Sequence, residues 1–361
     1  MTKRKRDSLD ISELRSLKER KLLTTAQAGN HISWCYSDRV QYERMWTPLL
    51  ERCRGIITDD QGHIIARPFC KFFNADERPD DFMNDVHLPF EITDKMDGSL
   101  IISTASNPDI LVASKNSFTS GQAKFARDFI TSHPDLEKGI IDNPEYTFLF
   151  EAIYPENRII LDYGNMSDLV LLGIIHTDSG VEQSRRFVEE FASERNVTVV
   201  SMKRFDNIDA AIEHTKNQMM SDGEGIVIRF SNGHRYKVKS MDYVRMHRLA
   251  STVSLKHVLD VMESGQDVSE VYGVLPDEFY KDVRSYEQKV RNEYDRITSA
   301  VDEAFDAVKN IPVRGDQARM LFANPSFREV NGVIFAMLDG HDPSRVKWKL
   351  VRKNLTKKEV V

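Results

Sequence analysis

Phe90-Glu91-Ile92-Thr93-Asp94-Lys95-Met96-Asp97-Gly98-Ser99-Leu100-Ile101-Ile102-Ser103-Thr104 sets one lysine between two strand-like runs. Glu91–Thr93 and Leu100–Thr104 are rich in β-branched and apolar residues, and Asp and Gly punctuate them. The spacing predicts a tight strand-to-strand turn opened by Lys95, with Gly98 permitting an unusual backbone angle. Flanking strands would hold such a lysine rigidly. Taken alone, Lys-x-Asp-Gly is first an ordinary turn with a solvated lysine.

Further strands are predicted at Ile110–Ala113, Tyr146–Ile153, Leu169–His176 and Gly225–Phe230, and helices near Gly121–Ser132, Val181–Arg195 and Asn207–Met219. After Gly225–Phe230 come Ser231-Asn232-Gly233 and then His234–Lys239, a strong hairpin signal. Side chains alternate along a strand, so Lys237 and Lys239 share one face and Val238 takes the other. Two lysines side by side repel unless an anion lies between them; a charged edge strand is the plainer alternative. Glu151 interrupts the apolar strand Tyr146–Ile153 and needs a partner, structural or functional. Ser114-Lys115-Asn116 stands at a strand end, and Arg52-Cys53-Arg54-Gly55 precedes Lys71-Phe72-Phe73-Asn74.

Near residue 245 the pattern becomes helical. Phe279, Val283, Tyr286, Val290, Tyr294, Ile297, Val301, Phe305 and Val308 form one stripe, started by Pro276-Asp277 and stopped by Pro312. At ~1.5 Å per residue that helix is about 45 Å long. A shorter helix is expected over Ser254–Glu263. Two domains follow: residues 1–245, α+β, with an N-terminal extension, and residues 246–361, all helical.

Composition narrows the class. The chain has 361 residues, 40% hydrophobic, with a net charge of −6. A whole-chain basic excess is absent, and no apolar run approaches the ~18 residues of a membrane span. Cys35, Cys53 and Cys70 form no CxxC pair, which excludes a zinc module and a disulfide framework and favours a reducing compartment. The basic run Lys3–Arg6 lacks a following apolar segment, so it reads as a solvated tail rather than a signal peptide. The absence of targeting signals leads us to expect a cytoplasmic protein.

The order of the pieces is more informative than any one of them. Arg-Gly, Lys-Phe-Phe-Asn, Lys-x-Asp-Gly-Ser, Ser-Lys, Phe-Glu, Glu-Gly-x-Val and Lys-x-Lys-Ser follow in succession. This resembles the covalent nucleotidyltransferase superfamily of polynucleotide ligases and mRNA capping enzymes. Cys53-Arg54-Gly55-Ile56, Lys71–Asn74 and Glu151–Ile159, with its Pro-x-Asn-Arg-Ile, resemble the phage RNA ligase 1 family in particular. Asn116 departs from the glycine frequent there in the family.

The resemblance implies an adenylation domain of antiparallel sheets with flanking helices, then a helical RNA-binding domain. It implies an ATP-dependent RNA ligase that joins 3′-hydroxyl and 5′-phosphate ends through a lysyl-AMP on Lys95 and an adenylylated RNA. Lys237 and Lys239 would lower the proton affinity of Lys95 and cradle the α-phosphate. Glu224 would hold Mg²⁺, with Mn²⁺ as a substitute, and Glu151 and Lys115 would bind the nucleotide. Gly98 would admit the nucleotide's close approach, and Arg54 and Lys71 would take pyrophosphate or the RNA 5′-phosphate. Phe73 lines the nucleotide site or belongs to the core.

The implied role is repair of cleaved tRNA by a monomer in the cytoplasm, that of the host if the chain is phage-encoded. No Gly-x-x-x-x-Gly-Lys-Ser/Thr occurs, so a separate kinase and phosphatase would heal the ends. The run Ser344–Lys358 holds seven basic residues and no acid, which suits RNA; Trp348 stacks on a base or packs in the core. The alternatives are a DNA ligase, a capping guanylyltransferase, or a binding protein with a dead ligase core. The first two usually continue into a β-barrel, against the helical pattern here; the intact Lys95, Glu224, Lys237 and Lys239 speak against the third.

Overall fold

The computed structural model describes residues 7–106, 109–252, 254–268 and 280–358. The expected helix start at Pro276-Asp277, Phe279 and the basic run Lys3–Arg6 lie outside the described residues. The chain divides into two compact units, Met1–Arg245 and Met246–Val361.

The first unit holds strands β1 (Leu23–Ala28), β2 (His31–Tyr36), β3 (Arg54–Thr58), β4 (Ile64–Ala66), β5 (Phe73–Asn74), β6 (Phe90–Asp94) and β7 (Ser99–Ser106). It continues with β8 (Asp109–Ser114), β9 (Tyr146–Ile153), β10 (Asp168–His176), β11 (Met202–Lys203), β12 (Gly225–Phe230) and β13 (Arg235–Lys239). They build three sheets, ordered β1-β2-β3-β4, β10-β9-β7-β8 and β11-β6-β12-β13-β5. Every pairing is antiparallel except β13 with β5.

Strand parity builds two apolar layers around the middle sheet. Ile101, Phe148 and Phe150 face the helices Gly121–Thr131, Pro134–Ile141 and Arg185–Ser193 through Ala126, Ile130, Leu136, Ile140 and Phe191. Leu100, Ile102 and Leu149 face the other way, against Ile57 and Ala66 of the first sheet. Phe148 is fully buried; truncating such a side chain to Ala costs about 3–5 kcal/mol. Helix starts are fixed locally. Ser120 accepts from the Ala123 N–H, Ser184 from Phe187 and Asn207 from Ala210.

One expectation fails. Lys95–Gly98 is not a hairpin turn, because β6 and β7 belong to different sheets. β6 pairs with β12 from Ile226–Asp94 to Phe230–Phe90, whereas β7 pairs with β8 and β9. The segment is a crossover between sheets. The Lys95 N–H donates to the Gly225 carbonyl at 2.9 Å on one side. On the other, Asp97 Oδ2 accepts from the N–H groups of Ile160 at 2.9 Å and Leu161 at 2.8 Å. Gly98 is required by crowding, not by a positive φ: a Cβ there would sit 2.5 Å from the Ala152 carbonyl oxygen. The Asn232-Gly233 hairpin forms as read, with Gly225 opposite Lys239 and Gly233 at φ 88°.

The second unit is helical among its described residues: Leu255–Glu263, Tyr280–Val308, Arg314–Ala323, Pro325–Leu338 and Ser344–Lys358, after the end of Met241–Thr252. Val283, Val290, Ile297, Val301, Ala304 and Val308 of the long helix are all buried. Trp348 is half-buried against Tyr294, ring centroids 4.7 Å apart. Arg352 pairs with Asp260 and Glu263, and Lys347 donates to Thr298. Arg345, Lys349 and Lys353 remain exposed, one helical turn apart on a single face. Among the described residues no helix is long and apolar enough to cross a membrane.

Candidate active site

Lys95 and the hairpin lysines meet in one cavity of about 600 Å³, walled by the second and third sheets with contributions from the first. β13 alternates as its sequence demands: Tyr236 and Val238 are buried in the core, while Arg235, Lys237 and Lys239 line the cavity. Arg54, Lys71, Lys95, Gly98, Lys115 and Glu151 line it too. Six strand ends and loops, distant in sequence, thus supply one cationic site.

Glu224 organises its centre. It is 1% exposed, and its two oxygens are both taken. Oε2 accepts from Lys95 Nζ at 2.6 Å, and Oε1 lies 2.8 Å from Lys239 Nζ. Gly225, at φ 150°, starts β12 beside it; a Cβ there would lie 2.1 Å from the Val238 carbonyl oxygen. Glycine is therefore obligatory where Glu224 turns inward. Lys239 also stands 4.9 Å from the Tyr243 ring centroid.

Charge crowding perturbs the neighbours. Burial, then the cations Lys71, Lys239 and Lys95, pushes Lys237 down to about 7. Burial, with Arg54, Lys115 and Lys239, pushes Lys71 down to about 8 against the opposing Glu77. Burial pushes the Glu151 carboxyl up to about 7, although Lys95 and Arg54 oppose it. Glu151 Oε1 accepts from the Gly98 N–H at 3.2 Å, so this carboxylate touches the Lys95–Gly98 crossover. Arg54 lies 5.4 Å from the Phe72 ring centroid, and its buried Nη1 has no hydrogen-bond partner among the described residues. Such an orphaned guanidinium nitrogen suits an incoming anion.

Phe72 lines the cavity; Phe73 is 8% exposed and is not among the lining residues. Phe73 instead packs edge-on against Trp46 at 5.3 Å and carries Arg78 on its face at 3.9 Å. Several supporting residues were not singled out from sequence. Asp97 Oδ1 accepts from Tyr243 Oη at 2.7 Å, and the Asp97 N–H donates to Tyr163 Oη at 3.0 Å. Tyr36 and Trp46 lie against Lys71. They lie on separate elements with no shared period, so only the fold brings them together.

Among the described residues no three His, Cys, Asp or Glu side chains converge to hold a metal unaided. The donor set is one or two carboxylates beside a cavity lined with lysine and arginine. It fits a Mg²⁺-type ion whose shell is completed by phosphate oxygens and water.

Comparison with known proteins agrees with this geometry. A family model described as RNA ligase matches residues 52–243, just over half of the chain. A Thermovibrio ammonificans protein named “Putative RNA ligase” is 25% identical over 144 residues, covering 37% of this chain and 36% of that one. A protein of Ostreid herpesvirus 1, ORF64, is 26% identical over 168 residues, 44% of this chain and 42% of that one. The chain thus spans about two-fifths of the length of the curated relatives it matches. An archaeal ATP-dependent RNA ligase superposes with a TM-score of 0.50 at 14% identity, over 81% of this chain and 80% of that one. A chain titled “Putative ATP-dependent DNA ligase from Aquifex aeolicus” gives 0.52 at 16% identity, over 77% and 72%. At these identities the likeness is one of fold: a ligase nucleotidyltransferase domain with a helical C-terminal region. The matched segment carries every cavity lysine from Lys71 to Lys239 together with Arg54, Glu151 and Glu224, and the chain belongs to the RNA ligase family.

Proposed function

We propose that the protein is an ATP-dependent RNA ligase working through a lysyl-adenylate on Lys95. The observation that carries this is the Lys95–Glu224–Lys239 ion triad, set in a cavity ringed by Arg54, Lys71, Lys115 and Lys237. Lys95 Nζ, after losing a proton, attacks the α-phosphorus of ATP; a P–N bond forms, the P–O bond breaks and pyrophosphate leaves. Glu224 Oε2, at 2.6 Å, is placed to take that proton. A 5′-phosphate oxygen of RNA then attacks the same phosphorus and releases Lys95. In the third step a 3′-hydroxyl attacks the RNA phosphate, and AMP departs with the bonding electrons.

Lys237 and Lys239 neutralise the α-phosphate, and Arg54 and Lys71 hold the leaving pyrophosphate or the incoming 5′-phosphate. Lys115 and Glu151 bind the nucleoside, with Gly98 giving it room. Glu224 would hold Mg²⁺ or Mn²⁺ once the triphosphate is bound; the ion supplies charge neutralisation at the phosphates.

Residues 1–245 are the adenylation domain in this reading, and 246–361 bind RNA along Arg345, Lys349 and Lys353. The substrate is RNA with single-stranded ends, a cleaved tRNA, sealed in the cytoplasm by a monomer after separate end-healing enzymes. Family resemblance supports the phage and tRNA-repair parts. A DNA ligase or capping enzyme would use the same lysine, but helices fill the described part of 255–358, where those enzymes carry a β-barrel.

The test is incubation with α-labelled ATP and a divalent cation. Acid-labile label that survives denaturation is expected on the wild type and not on Lys95→Ala. No label on wild type would sink the enzyme reading. Labelling by GTP would point to capping, and sealing of nicked duplex DNA in preference to single-stranded RNA would point to a DNA ligase.

A further inference from the structure

Three rings flank the Lys71 ammonium on one side. Its Nζ lies 5.2 Å from the Phe73 centroid, 5.3 Å from Trp46 and 5.9 Å from Tyr36. The rings brace one another edge-to-face: Tyr36 meets Trp46 at 4.9 Å and Trp46 meets Phe73 at 5.3 Å. The lysine backbone is pinned as well, its N–H donating to the Glu51 carbonyl at 2.7 Å. Trp46 comes from the short segment between the helices Asp38–Tyr42 and Pro48–Arg52, outside the stretch matched by the family model.

A half-buried cation among other cations is costly unless something compensates it. The charged and titratable groups around Lys71 are Arg54, Lys115, Lys237, Lys239, Glu77 and Tyr36, with Arg78 over the Phe73 ring. Five of these are positive, and Glu77 is the one carboxylate among them. Ring faces supply a negative quadrupole without an anion, so they hold the ammonium and leave its hydrogen-bonding directions open. A carboxylate partner would compete with phosphate for those directions; rings do not.

We propose that Trp46 is a positioning residue for Lys71, keeping its ammonium charged and aimed at a phosphate group of the substrate. The assignment rests on the nucleotide reading above, and it also accounts for Phe73, which stands beside Trp46 in the same ring cluster and is not a face of the nucleotide site. Trp46 itself touches no reacting atom.

The discriminating variants are Trp46→Leu, which keeps apolar bulk but removes the ring, and Trp46→Phe, which keeps a ring. Single-turnover lysyl-adenylate formation is followed from acid to alkaline pH. Trp46→Leu is expected to slow the step about tenfold, the size of one desolvated cation–π contact. Because the charged form of Lys71 loses support, the alkaline limb of the profile should move to lower pH. Trp46→Phe should restore both. Equal losses in the two variants, or a slower rate with an unmoved alkaline limb, would overturn the proposal and leave Trp46 as packing.

A second measurement does not depend on catalysis. The Lys71 ammonium, assigned by its loss in Lys71→Arg, is titrated by NMR in wild type and in Trp46→Leu. A lower midpoint in the variant supports the cage; an unchanged or higher one refutes it. Should wild type take up no label, the ligase reading falls, and this titration still decides the cage.

Discussion

Lys95 Nζ and Glu224 Oε2 stand 2.6 Å apart, joining the crossover after β6 to the start of β12 over 129 residues of sequence. The lysine proposed as the nucleophile is therefore held as one arm of an ion triad, with Lys239 as the other. Glu224→Gln keeps the shape and removes the charge and the proton acceptor. Lysyl-adenylate formation at saturating ATP should fall by about 10²-fold or more, the size of a lost general base. Rapid-quench labelling checks this. A rate within twofold of wild type would mean that Glu224 only holds the fold.

Asp97 is the hub under that lysine. It is 4% exposed and accepts from Tyr243 Oη, Ile160 N–H and Leu161 N–H, so all of its bonds serve to hold the loop. Tyr243→Phe leaves one carboxylate oxygen without its donor, at a cost of about 1–3 kcal/mol. Denaturant titration should show a lower midpoint with an unchanged slope. Adenylation should slow as well, because Lys95 loses a fixed anchor two residues away. Full stability with slow adenylation would contradict the hub.

Gly98→Ala tests the crowding. The added Cβ would lie 2.5 Å from the Ala152 carbonyl oxygen, 2.6 Å from Ile153 Cδ1 and 3.0 Å from Glu151 Cγ. Backbone cannot yield there as a flexible side chain could, so the loop must shift and carry Lys95 with it. Loss of adenylation by at least about 10²-fold is expected, since misplacement of a reacting group by ~1 Å costs that much. Gly233→Ala is the control for glycine loss in general: open space surrounds that position, although φ 88° will cost some stability.

What the sequence made legible was local. β9 coincides with the apolar run Tyr146–Ile153, and β12–β13 with the alternation around Asn232-Gly233, because period and turn chemistry are written into adjacent residues. The lysine pair Lys237 and Lys239 shares a face for the same reason. The Lys95 crossover looks like a turn in the sequence because which sheet β6 and β7 join is decided by β12 and β9, far along the chain. Asp97 with Tyr243, and Lys71 with Trp46, escaped notice for that reason too: no spacing marks a partner on another element. Phe72 and Phe73 stand open between site and core in the sequence; in the fold Phe72 lines the cavity, while Phe73, the first residue of β5, is buried.

Proton uptake on phosphate binding is the last prediction. Lys237, pushed down to about 7, binds fewer protons in the folded state than in the unfolded one between about 7 and the ordinary lysine value. Stability must therefore rise with pH across that window, and the contribution is lost as pH falls through 7. Glu151, pushed up to about 7, runs the other way. Its contribution is complete below the ordinary carboxylate value and is lost as pH rises through 7. Near neutrality both contributions are missing, and the empty cavity is at its least favourable. A bound triphosphate brings negative charge to Lys237 and Lys71, so at about pH 8 binding should draw in roughly one to one and a half protons, most of it at Lys237. Calorimetry in buffers of different ionisation enthalpy measures it, and Lys237→Met should abolish most of the uptake. Binding without proton uptake, or undiminished uptake in Lys237→Met, would show that these lysines do not meet the phosphates.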